Sequence, residues 1–442
     1  MKHRGRHRRR RRGRALRAFL AGTALALTGA ATMISASQAT VTGSPGALKP
    51  VSSATESATL RLKENLVPRG TLDRLSSEMG RPVGVGAVLD DADHSLRDAI
   101  SCTGGERGAL PVEPTATRAF CWDADDTRSW RPGAVTTSGD ADDDGIWGQN
   151  RVILSGWSRN DNESTGLSNS QAGVTAGRGL AKVAFVDAND PSHLTYTWVL
   201  LVVPVDGGRD YRALSSQLTG MVWYQDKLLV TATGEGRTAL YAYDMNRVQR
   251  TTVDTGAVGR VRGGWAANGS RYVLPAVASY RLTGSEAVRP GTISLDRSTA
   301  PDSLVASERP PSDSDRPALL SRYSLGADTT GTRAGLLATD SAGRASPSDV
   351  YETKADDIGG VLSYRSDWYL ARTGDPDDAH GTLWRQTADG AQATRCGPEK
   401  HRDCWSPDAG ALSYWEETGE VWSQSGRMLF ALPLASMDRA LG

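Results

Sequence analysis

Gly220-Met221-Val222-Trp223-Tyr224-Gln225-Asp226-Lys227-Leu228-Leu229-Val230 consists of two short apolar runs on either side of a polar pair. Val, Trp, Tyr and Leu suit a pleated, half-buried surface, and Gln225-Asp226 supplies the turn. Leu228 and Val230 stand two apart, on one face of a strand. The same offsets from a glycine recur with Tyr272 and Leu274 after Gly264, and with Trp368 and Leu370 after Gly360. The polar pairs Asn268-Gly269 and Ser366-Asp367 lie between them. Near the C-terminal end Leu412 and Tyr414 hold those places, with Cys404 where the glycine would be. The intervals are 44, 96 and 44 residues. A second echo sets Leu383-Trp384-Arg385-Gln386-Thr387 against Val421-Trp422-Ser423-Gln424-Ser425.

A unit of about 45 residues has room for four short strands but cannot cover both faces of its own sheet. Stacking such units around a ring covers the faces and shields the edges. The chain is therefore expected to be all-β, a β-propeller of five or six four-stranded blades between residues 130 and 435. The unit expected near residues 310–345 lacks the glycine. A β-sandwich is the alternative. Composition agrees with an all-β chain: 48 Gly, 12 Trp and 12 Tyr accompany only four Phe, and few long helical patterns occur. Val199-Leu200-Leu201-Val202-Val203 has the character of a buried strand. Ala300–Pro317, rich in Pro, Ser and Asp, has that of a long loop.

Outward from this core, the N-terminus has a different composition. Residues 1–17 carry Lys2 and nine Arg without an acid, an apolar stretch runs from Ala18 to Leu27, and Ser37-Gln38-Ala39 follows. That is the order of a secretion signal, so residues 1–39 are expected to be cleaved and the rest to work outside the cytoplasm. The apolar stretch is short for a membrane span. Residues 40–80 are expected to be a flexible linker with a short helix, and 81–442 the propeller-like domain. Cleavage removes ten of the 51 basic residues and none of the 51 acidic ones, leaving a formal net charge of −10. Such a balance disfavours nucleic acid and anionic membrane surfaces as partners.

Cys102, Cys121, Cys396 and Cys404 are an even set for an oxidising compartment. Three pairings are open, and proximity favours Cys102 with Cys121 and Cys396 with Cys404. Zinc is disfavoured, since no Cys-x-x-Cys is present.

Several stretches resemble a family of secreted actinobacterial proteins with no assigned activity. They are Trp130-Arg131-Pro132-Gly133-Ala134-Val135-Thr136-Thr137-Ser138, Lys182-Val183-Ala184-Phe185-Val186-Asp187, Gly220-Met221-Val222-Trp223-Tyr224, Cys404-Trp405-Ser406-Pro407 and Gly426-Arg427-Met428-Leu429-Phe430-Ala431-Leu432-Pro433. The resemblance implies an exported, propeller-like protein and carries no catalytic residues across.

Asp140-Ala141-Asp142-Asp143-Asp144-Gly145-Ile146 matches the opening of a calcium loop. Asp140, Asp142 and Asp144 fall at positions 1, 3 and 5, and Gly145 where the backbone turns. Position 12 is Arg151 instead of a bidentate Glu, so Ca²⁺ would need further ligands such as Asp161 or Glu163. The alternative is an acidic solvated turn. No Gly-x-Ser-x-Gly elbow or His-Glu-x-x-His helix occurs. His94, His193, His380 and His401 lie in polar, loop-like contexts that suit surface residues. Asp187, Asp244 and Asp357 sit near strand ends and are candidates for acids gathered at a propeller axis. Trp147, Trp157, Trp384, Trp405, Trp415 and Trp422 either fill the spaces between sheets or stack on sugars. The functional expectation is an extracellular binding or scaffold protein whose partner is a glycan or cell-envelope component. The alternative is a carbohydrate-active enzyme with axial acids.

Overall fold

Met221–Tyr224 and Lys227–Thr231 form an antiparallel hairpin, with Trp223 opposite Leu228 and Tyr224 opposite Lys227. Gln225 turns the chain at φ 51°. This computed structural model describes residues 43–159, 179–233, 235–284, 288–309, 316–374, 380–408 and 410–442. The segment expected to be an export signal lies outside them.

The hairpin belongs to one of five successive antiparallel meanders. Sheet I comprises Trp130–Thr137, Val152–Arg159, Ala181–Asp187 and Thr195–Val205. Sheet II follows with Met221–Tyr224, Lys227–Thr231, Thr238–Asp244 and Tyr272–Leu282. Sheet III has Arg289–Asp296, Ser303–Arg309, Ala318–Ser324 and Asp349–Thr353. Sheet IV has Ile358–Tyr364, Asp367–Arg372, Thr382–Gln386 and Ala391–Ala393. Sheet V has Ser413–Trp415, Glu420–Ser425 and Met428–Pro433. Its fourth strand, Arg118–Cys121, comes from far upstream and pairs antiparallel with Met428–Ala431.

Alternation of side chains gives each sheet two apolar faces, and neighbouring sheets cover them in turn. Val152, Leu154 and Leu201 of sheet I pack with Trp223, Leu228 and Val230 of sheet II. Val222, Leu229 and Leu240 of sheet II meet Ile293, Leu304 and Tyr323 of sheet III. Val305 and Leu320 of sheet III meet Val361, Trp368 and Leu370 of sheet IV. Leu362 and Leu383 of sheet IV meet Val421, Phe430 and Leu432 of sheet V. Trp422 and Leu429 of sheet V meet Ile153, Trp157 and Val186 of sheet I. The cores thus follow one another in cyclic order and return to the start.

The all-β expectation holds. Sheets I and II are also joined at their outer strands, where Tyr272–Pro275 runs parallel to Val199–Val202. The joined path has eight strands. Its two end strands, Trp130–Thr137 and Met221–Tyr224, lie against each other, so this sheet nearly closes like a barrel.

Close approach between sheets explains two of the aligned glycines. A Cβ on Gly220 would stand 2.4 Å from the backbone nitrogen of Ile293 in sheet III, and one on Gly360 would stand 2.4 Å from the carbonyl of Gly410 ahead of sheet V. Hydrogen therefore occupies the side-chain position where two backbones meet.

The remaining alignment is corrected by the structure. Gly264 opens a separate hairpin, Gly264–Ala267 with Val258–Val261. Leu412 and Tyr414 lead into and lie on the first strand of sheet V, instead of the second. Leu383 and Val421 lie on the third strand of one sheet and the second of the next. Spacing alone cannot tell these positions apart. The Pro-rich stretch from Ala300 holds the strand Ser303–Arg309.

The expected linker is corrected too. From Gly43 onward the chain is one compact unit. Lys49–Pro50 extends sheet III, and Leu62–Leu66 pairs with Ala278–Leu282 of sheet II. Helix Arg69–Met79 buries Leu72, Leu75 and Met79. These apolar positions recur at helical spacing, within a segment whose mean composition is polar. Among the described residues, no helix is long and apolar enough to cross a membrane.

Candidate functional site

A polar cleft opens against the outer strand of sheet I. It has two lobes, of about 350 and 620 Å³, which share His94, Trp198, Gly269 and Ser270. Local structure sets each wall. On Thr195–Val205 the period of two turns Tyr196 and Trp198 to one face. Lys182, opposite Leu200 in the neighbouring strand, lies diagonally beside Trp198. Trp130 pairs with Arg159 at the edge of the same sheet. His94–Ser95 adds a short strand against Thr195–Tyr196. The turn Ala124–Thr127 is capped by the Asp123 carboxylate, which accepts from the backbone N–H groups of Asp125 and Asp126. That cap holds Asp126 toward His94.

The imidazole of His94 has a carboxylate at each nitrogen. Nδ1 is 2.7 Å from Asp126 Oδ2, and Nε2 is 3.3 Å from Asp93 Oδ1. Its ring stacks on Tyr196 with centroids 5.0 Å apart, and the Tyr196 hydroxyl donates to the same Asp126 oxygen at 2.7 Å. Burial, then Asp126, drive the Tyr196 hydroxyl far above its ordinary range. Arg271 approaches Asp93 to 3.1 Å. Along the other lobe Arg250 is bound to Asp91 and to the Tyr272 hydroxyl. Both nitrogens of His94 are thus engaged by carboxylates of the protein itself.

Lys182 is the exception. The residue is only 6 % exposed, yet it lines the larger lobe. Its Nζ lies 4.1 Å from the centroid of Trp130 and 3.5 Å from that of Trp198. Its one hydrogen bond among the described residues reaches the backbone carbonyl of Asp126 at 3.5 Å. Burial pushes the ammonium down to about 7; Asp126 acts in the opposite sense, and Arg159 adds to the fall. The ring faces also favour the charged form.

Asp140 is buried, and its Oδ2 accepts from the hydroxyls of Thr136 at 2.6 Å and Ser413 at 2.8 Å. Asp142 and Asp144 are exposed, and Asp144 accepts from the N–H of Ile146 at 2.8 Å. Asp161 and Glu163 lie outside the described residues. Among the described residues, three ligating side chains come within 4.8 Å of one another only at Cys102, Glu106 and Cys121. Asp140, Asp142 and Asp144 are not brought together in this way. Cys102–Cys121 and Cys396–Cys404 are disulfides, so the group near Glu106 is not a metal centre either.

Asp187 and Asp244 are turn residues whose carboxylates accept from the N–H groups of Asn189 and Asn246. Asp357 is an exposed turn residue at φ 44°. None of the three lines the cleft. Trp157, Trp384, Trp405, Trp415 and Trp422 are buried between sheets, and Trp147 packs against Trp223. They fill space. His193 is exposed, and His401 faces Glu399 at 3.1 Å.

Sequence reading missed the cleft because its parts are scattered from residue 93 to residue 271. The one available signal was a lysine inside an apolar strand, Lys182-Val183-Ala184-Phe185-Val186. A charge there needs a reason. No protein-family model matches the chain, and no curated protein is significantly similar to it.

Proposed function

We propose that this chain is an exported, non-catalytic binding protein built as a five-bladed β-propeller, with its ligand seated in the cleft of Trp130, Lys182, His94 and Trp198. The cyclic order of the apolar cores supports the propeller. The two disulfides and the basic–apolar–small order of residues 1–39 support export. The observation that carries the binding reading is the cleft itself: two adjoining lobes with aromatic walls and rigid polar groups, whose histidine is held at both nitrogens. Such a preorganised wall favours binding over proton transfer.

The alternative, a carbohydrate-active enzyme with axial acids, requires two carboxylates roughly 5–10 Å apart in an accessible site. Asp140 is sealed between sheets, Asp187, Asp244 and Asp357 serve turns, and Asp93 and Asp126, which flank His94 in the cleft, are already engaged by His94, Arg271 and Tyr196.

The test is a glycan array and pull-down on isolated cell-envelope material with the oxidised chain 40–442, alongside a sugar-release assay. Retention that Trp130→Ala abolishes, without released sugar, is the expected result. Sugar release abolished by the same substitution would replace the reading with the enzymatic one. No retention on any surface would remove it.

A further inference from the structure

Resting on the reading of this cleft as a ligand site, we infer that it takes an acidic saccharide, whose anionic group is held between Lys182 and Arg159. Both side chains line the 620 Å³ lobe. Neither has a carboxylate partner within ion-pair distance among the described residues, whereas Arg128, Arg250 and Arg271 nearby are each paired. The nearest acid, Asp126, already receives His94 and Tyr196 on one oxygen, and presents only its backbone carbonyl to Lys182.

A lysine buried to this degree is ordinarily matched by an anion. Here the rings of Trp130 and Trp198 hold the ammonium in place without neutralising it. The guanidinium of Arg159 beside it has no carboxylate partner among the described residues either, and the two cations repel. An oxygen anion bridging them removes that repulsion and gains charge-assisted hydrogen bonds from both.

The rest of the wall suits a sugar better than a bare ion. Asn268, Ser270 and Thr197 offer neutral hydrogen-bonding groups, and the second lobe continues the first past Trp198. Length and neutral polar groups suit a chain of hydroxylated units, with one anionic group anchored at the lysine.

Calorimetry separates charge from sugar with two probes on one backbone: oligogalacturonate and its fully methyl-esterified form. A sulfated oligosaccharide forms a third arm that assigns the anion. The expected result is binding of an acidic probe about 10- to 100-fold tighter than the ester. Lys182→Met, which keeps an unbranched apolar chain between the two rings, is expected to remove that advantage, so that acid and ester bind alike. Arg159→Gln, at a half-buried strand end, is expected to reduce it in a protein with parental melting behaviour. Equal affinity for acid and ester would overturn the inference, as would an acid preference that survives both substitutions. If the cleft instead retains a neutral glycan or an envelope component, lost with Trp130→Ala, the acidic ligand falls and the binding reading stands. No retention of any kind removes both.

Discussion

Ser413 donates its hydroxyl to the carboxyl of Asp140 across 2.8 Å, tying the first strand of sheet V to the turn that ends the first strand of sheet I. Thr136 donates to the same oxygen, and its own hydroxyl oxygen accepts from the backbone N–H of Trp223 in sheet II. Arg297, just past the first strand of sheet III, donates to the Asp140 carbonyl at 2.7 Å. One aspartate therefore joins four of the five sheets.

Burial raises the Asp140 carboxyl to about 6. The folded protein then holds this proton more tightly than the unfolded chain, so stability falls as pH rises from about 4 to about 6 and is level above. A two-unit shift corresponds to about 3 kcal/mol. Asp140→Asn keeps an acceptor for both hydroxyls and removes the titration. Its melting temperature relative to the parent is expected to climb across that window in scans from pH 3.5 to 7.

Glu308 is a second buried acid, raised to about 8. One oxygen accepts from the Ser321 hydroxyl at 2.8 Å, and the other has no hydrogen-bond partner among the described residues. The sign is the same: the folded state loses stability between about pH 4.5 and 8. Glu308→Gln is expected to melt higher than the parent at pH 8 and to match it at pH 4. A lower melting point at pH 8 would show that the ionised carboxylate has a partner.

Gly220→Ala tests the close approach of sheets II and III. Its Cβ would meet backbone at 2.4 Å, and backbone packed between two sheets has little room to yield. The expected loss is about 1–3 kcal/mol, read by chemical denaturation. Gly236→Ala, where no atom lies within 4 Å but φ is +61°, separates pure backbone strain from crowding and is expected to cost less.

The disulfide Cys102–Cys121 closes a 19-residue span and ends on the strand that completes sheet V. Replacing both cysteines by serine is expected to cost about 3 kcal/mol from loop entropy. The 8-residue span of Cys396–Cys404 contributes somewhat less on the same basis. Paired melts of the two double variants give the order.

Removing residues 43–80 tests whether that stretch belongs to the fold. It takes away the buried Leu60, Leu62 and Leu75 and uncovers the Ala278–Leu282 edge of sheet II. It also removes the carbonyl of Leu60 that accepts from the buried Tyr323 hydroxyl at 2.7 Å. A chain beginning at Arg81 is expected to aggregate or to melt well below the parent. Unchanged melting would restore the linker reading.

The sequence made the strands legible where alternation was clean, as at Met221–Thr231 and Ile358–Arg372, because side-chain period and turn residues are local. It misplaced Gly264 and Leu412 because their spacing matches an inner hairpin while their partners are set by tertiary contacts. The segment 40–80 looked like a linker because short strands and two helices draw their stability from sheets far along the chain. The cleft was illegible for a related reason. His94, Asp126 and Lys182 become neighbours only through the pairing of three strands and a capped turn, and their separations in sequence say nothing of it.

The fourth strand of sheet V has a consequence for how the molecule is assembled. Arg118 and its ion-pair partner Glu420 are 302 residues apart, so this edge of sheet V is completed by a contact that spans most of the chain. Loop entropy for so long a span grows only logarithmically, and sheets I to IV fill the intervening chain. Sheet V is thus tied together by strands from distant parts of the chain.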